Sequence, residues 1–346
     1  MPRFDIIKTI SKTTSSLRQL SVLNPLTIHK KGRRTKAIFA LALVCFLWGT
    51  TWIAAKQGVT YMPPLQLSGL RQFAGGLCYV IFFLAKGVKL PKGKEWFTII
   101  VLSLLNFGLS NGLSNCSVKY ISAGLGSIIA AIFPLWLVII GLFSSQGKIP
   151  TKAIIGLLLG FSGVCIIFYE HLDDFLNADF RLGIILALLA TWTWAFGTLY
   201  TKKKAADFNP YFSLGLQMLI SGALLLVSTK AIDDVPLING VSFDTFTPLA
   251  EVPWQSWAAL AYLVVFGSVI AFIAYLYALQ NLPTEQASIY AYVNPIVAVL
   301  LGWLLFDEYL SIFIAIGGVI TLAGVYLVNK AFKSLPPKEQ PETEGM

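Results

Sequence analysis

Arg71 is the residue whose chemistry is most unexpected in its place, because it lies inside a long apolar run. It follows Pro64, where the run begins, by seven residues, or roughly 10 Å at about 1.5 Å per helical residue. A charge buried that deep in apolar surroundings costs at least about 2–3 kcal/mol, so the side chain must face protein or water. It is suited to bind a carboxylate or phosphate group. The alternative is a structural arginine that reaches outward and bonds to backbone carbonyls.

Amide and aromatic side chains recur inside other apolar runs. Asn111 and Asn115 are four residues apart, as are Tyr290 and Asn294, so each pair shares one face of a helix. Such groups point inward where no water is available. We expect them to line a central cavity, and the alternative is hydrogen bonding between helices without a ligand. The predicted substrate-binding residues are Arg71, Trp48, Asn111, Asn115, Trp194, Tyr275, Tyr290 and Asn294.

Two prolines and one acidic residue complete the set of candidates. Pro134 and Pro295 each remove a backbone hydrogen bond from an apolar run, so we predict hinges there rather than contacts. Glu285 opens a run, where a helix N-terminus favours negative charge; a role in proton coupling is the alternative. No acidic residue lies in the middle of any apolar run, so the sequence does not favour a buried carboxylate as a proton carrier.

The composition requires these residues to sit in a membrane. Hydrophobic residues make up 56% of the 346 residues and charged residues 12%, against about 25% charged in soluble domains, and the mean hydropathy is +0.72. The four cysteines have no metal-ligand spacing, so neither a metal nor a cofactor is expected.

Ten spans of about 20 residues are predicted, at 37–55, 64–85, 95–115, 121–143, 152–170, 181–200, 210–229, 256–279, 285–305 and 310–331.

The distribution of charge predicts how these spans are oriented. Most of the 26 Lys and Arg residues fall in segments that share one side of a ten-span topology, which is the cytoplasmic side by the positive-inside rule. Both termini are therefore expected in the cytoplasm, and the protein in the plasma (inner) membrane. The net charge of +9 is explained by these loops rather than by nucleic acid. The basic tail 1–36 is interpreted as solvated, or as a helix lying on anionic lipid; residues 332–346 form a second cytoplasmic tail.

The chain repeats itself. Segments 120–141 and 281–302 align without gaps at an offset of 161 residues, and Trp48, Pro64 and Arg71 precede the first copy much as Trp194, Pro210 and Gln217 precede the second. Identities include Ser127/Ser288, Ala130/Ala291, Pro134/Pro295 and Gly141/Gly302. The repeats are predicted at 37–170 and 181–331. Five spans in each make the two copies inverted relative to each other, so the fold class is an all-α membrane protein of ten transmembrane helices in two inverted five-helix repeats.

These residues resemble a known family. The chain is similar to the EamA family of the drug/metabolite transporter superfamily in Trp48-Gly49-Thr50, in Arg71-Gln72-Phe73-Ala74, in the small-residue run 122–127 and in Gly302 followed by Asp307-Glu308. The resemblance covers about 37–332. It implies ten helices in two inverted repeats and export of amino acids or other metabolites. The second repeat departs from the pattern with Gln217 at the arginine position, so the role of the arginine is asymmetric.

Together these observations predict a secondary transporter that exports amino acids or other small metabolites by alternating access at a midplane cavity between the repeats. A channel-like or non-transporting membrane protein is the alternative. An enzyme is not expected, because His, Asp and Cys do not cluster near any span end. The expected partners are a small-molecule substrate and membrane lipids, without nucleic acid, and the oligomeric state cannot be read from the residues.

Overall fold

The protein is described by a computed structural model over residues 25–143, 150–170, 172–204, 209–232, 246–282 and 290–333. Within these ranges it is all-α apart from short connections. The helices are α1 Pro25–Val59, α2 Pro64–Ala85, α3 Lys94–Tyr120, α4 Ala123–Ala131, α5 Phe133–Phe143, α6 Thr151–Glu170, α7 Ala178–Lys204, α8 Pro210–Ile232, α9 Trp254–Asn281, α10 Tyr290–Phe306 and α11 Ile312–Lys333.

Most helix ends lie within a few residues of the predicted spans. α2 and α8 both begin at a proline, which fits the first helical turn because the N–H it lacks would have no partner there. α1 begins at Pro25, well before the predicted span and inside the basic tail. The predicted span 121–143 consists of two helices, α4 and α5, interrupted at Ile132. Residues 1–24 and 334–346 of the predicted tails lie outside the described residues.

The helices form a membrane-protein fold. In the described part of the chain, seven helices are long and apolar enough to cross a bilayer, and three shorter apolar helices cover Ala123–Trp136, Tyr290–Phe306 and Ile312–Val328. Large apolar side chains face outward, as expected where lipid is the solvent; they include Phe39, Phe46, Ile81, Phe82, Leu158, Val227, Trp303 and Leu304. The predicted all-α membrane fold is confirmed, whereas the count of ten spans and their inverted arrangement stay predictions.

Two long helices contain π-helical segments at related positions. Ser103–Leu109 lies in the middle of α3 and Leu263–Ile270 in the middle of α9, and the two segments end 161 residues apart. A π-helical turn leaves backbone groups available for side chains and is frequent at functional sites. In α9 two carbonyls of this segment accept hydrogen bonds from distant residues: Trp48 Nε1 donates to Gly267 O at 3.3 Å, and the Tyr79 hydroxyl donates to Val269 O at 2.8 Å.

Glycines bring two pairs of helices into backbone contact. α2 packs on α8 and α6 packs on α11. A side chain at Gly76 would meet the backbone of Leu219, and one at Gly163 would lie 2.5 Å from both Gly317 O and Thr321 N. Small residues at such crossings let helices approach closely, which stabilises packing where lipid removes the hydrophobic driving force. Each of these two pairs joins a helix of the first half of the chain to a helix of the second half.

One acidic and one basic side chain bind backbone groups where α3 ends and α4 begins. The Glu308 carboxylate, just after α10, accepts hydrogen bonds from the backbone N–H groups of Ala123 at 2.7 Å and Gly124 at 3.1 Å. Lys56 Nζ donates to Val118 O at 2.7 Å and to Ile121 O at 2.9 Å. Each charge therefore compensates the helix dipole that it faces. Gly302 leaves space for this arrangement, because a side chain there would displace the Glu308 carboxylate.

Replacing Glu308 by alanine is expected to destabilise the protein by about 1.5–3 kcal/mol, because two backbone donors lose a charged acceptor. Thermal unfolding of the purified protein in detergent measures the effect. Asp307→Asn is the matched control, since Asp307 is exposed and has a φ of 51°, a conformation that asparagine tolerates. Equal melting temperatures for Glu308→Ala and the unmodified protein would contradict the capping role.

Candidate functional site

A cavity of about 190 Å³ lies between the helices of the bundle. Its wall is built by side chains from α1, α2, α3, α4, α7, α9 and α10, together with Phe133 at the start of α5. Seven of the eight predicted substrate-binding residues line it: Trp48, Arg71, Asn111, Asn115, Trp194, Tyr290 and Asn294. Residues separated by more than 200 positions in the chain thus converge on one space.

Arg71 is buried in this wall, with 7% of its surface exposed. Its Nε donates to the Ser268 hydroxyl at 3.0 Å, across from α2 to the π-helical segment of α9. The neighbouring residue Gly267 makes room for the guanidinium, because a Cβ there would lie 3.1 Å from Arg71 Nη2. The side chain therefore lies against the π-helical segment rather than reaching the carbonyls of a helix end. The cation is fixed in place at the cavity.

The aromatic part of the wall is a packed cluster around Trp48. Its ring centroid lies 5.1 Å from Phe272, 4.9 Å from Tyr275 and 4.9 Å from Tyr290. Tyr275, the eighth predicted residue, does not line the cavity; it lies behind Trp48 and Tyr290, 5.4 Å from the Tyr290 ring. Edge-to-face contacts of this kind fix ring orientation, so Tyr275 supports the wall from its second layer.

The asparagines of the wall brace helices as well as line the cavity. Asn115 Nδ2 donates to Ser68 Oγ at 2.6 Å, and Asn111 Nδ2 donates to Asn106 O at 2.9 Å within the π-helical segment of α3. With its amide nitrogen turned toward the two carbonyls, Asn294 donates to Tyr290 O and Cys45 O, both at 3.0 Å. These side chains thus line the cavity and also bond between or within helices, while their contact with a substrate stays a prediction.

Several wall residues were missed in the sequence. They are small hydroxyl residues and apolar aromatics that are frequent in any membrane helix, so their type gives no signal on its own: Thr51, Trp52, Ser110, Ser114, Ser127, Phe133, Thr191 and Phe272. Ser268 was missed too, since its contact with Arg71 spans 197 positions. Ser127 carried one usable signal, because it belongs to the repeated segment that also contains Pro134.

The predicted hinges differ in their surroundings. Pro134 lies just after the interruption at Ile132 and does not line the cavity, whereas Pro295 lies inside the continuous helix α10 and does. The α-helix is therefore interrupted beside the first proline. Hinge motion at either position stays a prediction. Glu285 lies outside the described residues.

The model of the EamA-like transporter family matches residues 35–169 and again residues 181–330. This chain belongs to the EamA-like transporter family. The two matches together cover most of the chain, and the resemblance predicted from Trp48-Gly49 and the Arg71 motif is confirmed.

Relatives of the family in distant organisms share most of its length. The inner membrane transporter YedA of Escherichia coli, described as uncharacterized, is 30% identical over 80% of this chain and 83% of its own. The uncharacterized transporter YvbV of Bacillus subtilis is 27% identical over 87% of this chain and 94% of its own. A crystal structure at 18% identity, covered in full and over 87% of this chain, superposes with a TM-score of 0.57 and so shares the fold. The protein is a multi-pass membrane protein whose relatives are named as transporters.

Proposed function

We propose that the protein is a secondary transporter that moves amino acids or other small metabolites out of the cell by alternating access at the central cavity. The observation that carries the proposal is the convergence of a buried arginine, three asparagines and an aromatic cluster on one cavity in a family of transporters. Binding sites of secondary transporters lie near the midplane between two repeats. The cavity is lined by helices from both halves of the chain, which fits such a site.

Ten spans in two inverted repeats form part of this proposal. The packing of equivalent helices supports it: α2 meets α8, its counterpart in the second half, and α6 meets its counterpart α11. The π-helical segments of α3 and α9 also occupy corresponding positions. With five spans in each copy, the two halves have opposite orientations, and both termini lie in the cytoplasm. Rocking of one half against the other then opens the cavity to either side.

Metabolite profiling tests the proposal. Cells that produce the protein are compared with cells that produce Arg71→Gln, and medium and cytosol are analysed by mass spectrometry. We expect at least one small metabolite to be enriched in the medium only with the unmodified chain. Initial efflux rates from proteoliposomes then separate the candidate functions, since a carrier saturates and shows counter-exchange whereas a channel does neither. Equal profiles for both cell lines, with equal protein in the membrane, would contradict export.

Ser268→Ala is expected to weaken substrate binding without changing protein abundance. Ser268 is fully buried, and its hydroxyl accepts the hydrogen bond from Arg71 Nε, so its loss lets the guanidinium move. A neutral hydrogen bond contributes about 0.5–1.5 kcal/mol, which corresponds to a KM for transport about two- to tenfold higher. The matched control is Ser221→Ala, equally buried, whose hydroxyl donates to Met218 O instead. An equal rise in KM for both variants would show that Ser268 acts through general packing.

A further inference from the structure

We infer that the cavity selects small organic monoanions and that the membrane potential drives their export, an inference that rests on the proposed function. It begins with the charge of the wall. Among the described residues that line the cavity, Arg71 carries the charge, and the other lining residues are neutral. A cation held in such a place attracts an anion strongly, because the surrounding protein screens charge far less than water does.

The guanidinium presents donors that suit a carboxylate. An arginine has five N–H donors. Of these, the Nε–H is directed to Ser268, and the terminal nitrogens Nη1 and Nη2 have no hydrogen bond to any other described residue. Two parallel N–H donors match the two oxygens of a carboxylate, and charge-assisted hydrogen bonds are about twice as strong as neutral ones. A bound carboxylate would therefore complete both the charge and the hydrogen bonding of Arg71.

The remaining wall defines the body of the ligand. A volume of about 190 Å³ is smaller than the roughly 300–1,000 Å³ of cavities that hold drug-sized molecules. Trp48, Trp52, Trp194 and Phe272 supply apolar faces, and hydroxyl and amide groups supply a few neutral polar contacts. The ligand that fits has one carboxylate and a compact apolar body. An ammonium group in the same molecule would be repelled by Arg71 and would meet neutral oxygens only. Among the metabolites of the proposed function, the site therefore favours acids without an ammonium group over amino acids.

The charge of the ligand also supplies its driving force. Moving one elementary charge across 100 mV is worth about 2.3 kcal/mol, which is about fiftyfold in an equilibrium ratio. Because the cell interior is negative, this energy pushes an anion outward. The empty site is positive and the loaded site is neutral, so one negative charge leaves the cell in each cycle. Export of a monoanion by this route requires no coupling ion.

The test uses three probes that share a benzyl body and differ in charge. 3-Phenyllactate is an anion, its amide 3-phenyllactamide is neutral, and phenylalanine is a zwitterion. Purified full-length protein is tested for binding by quenching of tryptophan fluorescence, since three tryptophans line the cavity. Efflux from preloaded proteoliposomes is measured with valinomycin and potassium gradients that set the potential. Protein-free liposomes correct for passive leak.

We expect phenyllactate to bind at least tenfold more tightly than either other probe. Its efflux should be at least tenfold faster with the interior negative than with the interior positive, while efflux of the amide should not respond. Arg71→Gln, which places in the first repeat the residue found at Gln217 in the second, should weaken phenyllactate binding at least tenfold and change amide binding less than twofold. Arg34→Gln, at an exposed arginine of α1, should leave all these values unchanged.

The outcomes separate the inference from the function on which it rests. Equal binding of phenyllactate and either other probe, no binding of phenyllactate, or an equal effect of Arg71→Gln on acid and amide would overturn anion selectivity. Efflux of phenyllactate that ignores the potential would overturn the driving force. Selective binding of the acid with no efflux at any potential would leave the chemistry of the site standing and contradict transport.

Discussion

Replacing Arg71 by methionine is expected to lower the kcat/KM of transport about ten- to a hundredfold and, at the same time, to make the protein more stable. The loss of transport follows from the loss of charge-assisted hydrogen bonds, which contribute about 1.5–3 kcal/mol. The gain in stability follows from burial. Arg71 is a cation with 7% exposure and one hydrogen bond to a described residue, a position that costs about 2–3 kcal/mol. Methionine fills similar space without charge.

The two effects are measured on the same samples, by counter-exchange in proteoliposomes and by thermal unfolding in detergent. Arg181→Met is the matched control. Arg181 is exposed and its Nη1 donates to the carbonyls of Phe175 and Leu176, which is the structural role that was the alternative for Arg71. We expect Arg181→Met to lose a little stability and to transport normally. If Arg71→Met lost stability as well as transport, Arg71 would be a structural arginine.

Opposite signs for transport and stability would identify Arg71 as a residue that is kept for function at a cost to folding. Its repeat counterpart, Gln217, shows what the same helix position looks like without that demand. The Gln217 amide donates to Ser213 Oγ, one turn away on its own helix. The arginine instead contacts a different helix and the cavity. The asymmetry between the repeats thus concentrates charge on one side of the site.

The sequence predicted the helices well because the signals that end them are local. Apolar runs bounded by Pro64, Pro210 or charged segments correspond to helices that begin at those residues. The break at Ile132 could not be predicted to the residue, although Pro134 lies two positions beyond it. The π-helical segments had no recognisable signal in the sequence. The segment of α9, for example, accepts hydrogen bonds from Trp48 and Tyr79, which lie on other helices.

Part of the cavity wall could also be predicted from a local signal, the presence of polar residues in apolar runs. A polar residue in an apolar run must face inward, and this rule alone placed Arg71, Asn111, Asn115 and Asn294 near one another. The rule could not predict which groups these side chains form hydrogen bonds with. That Asn294 bonds to Cys45 O and Arg71 to Ser268 depends on how distant helices cross. Tyr275 shows the limit of the rule, because an inward-facing aromatic can support the wall without reaching the cavity.

Two adjacent glycines of α11 provide a sharp test of the helix packing. A Cβ at Gly317 would lie 2.6 Å from Gly163 O and 2.6 Å from Ile167 Cγ1, whereas the nearest atom to a Cβ at Gly318 is Ile128 Cδ1 at 3.9 Å. Gly317→Ala is therefore expected to force α6 and α11 apart, at a cost of about 1–3 kcal/mol for overpacking. Gly318→Ala should be neutral or stabilising.

Comparison of the two variants separates the effect of the clash from the effect of helix propensity. Both substitutions gain the same helix propensity, about 1 kcal/mol for alanine over glycine, so the difference between them reports the clash alone. Thermal unfolding of each protein in the same detergent gives that difference, and Gly317→Ala should melt well below Gly318→Ala. Equal melting temperatures would mean that the α6–α11 contact yields without cost. A large difference would show that this contact is rigid. The two halves of the protein would then have to rotate about the α6–α11 contact when they move relative to each other.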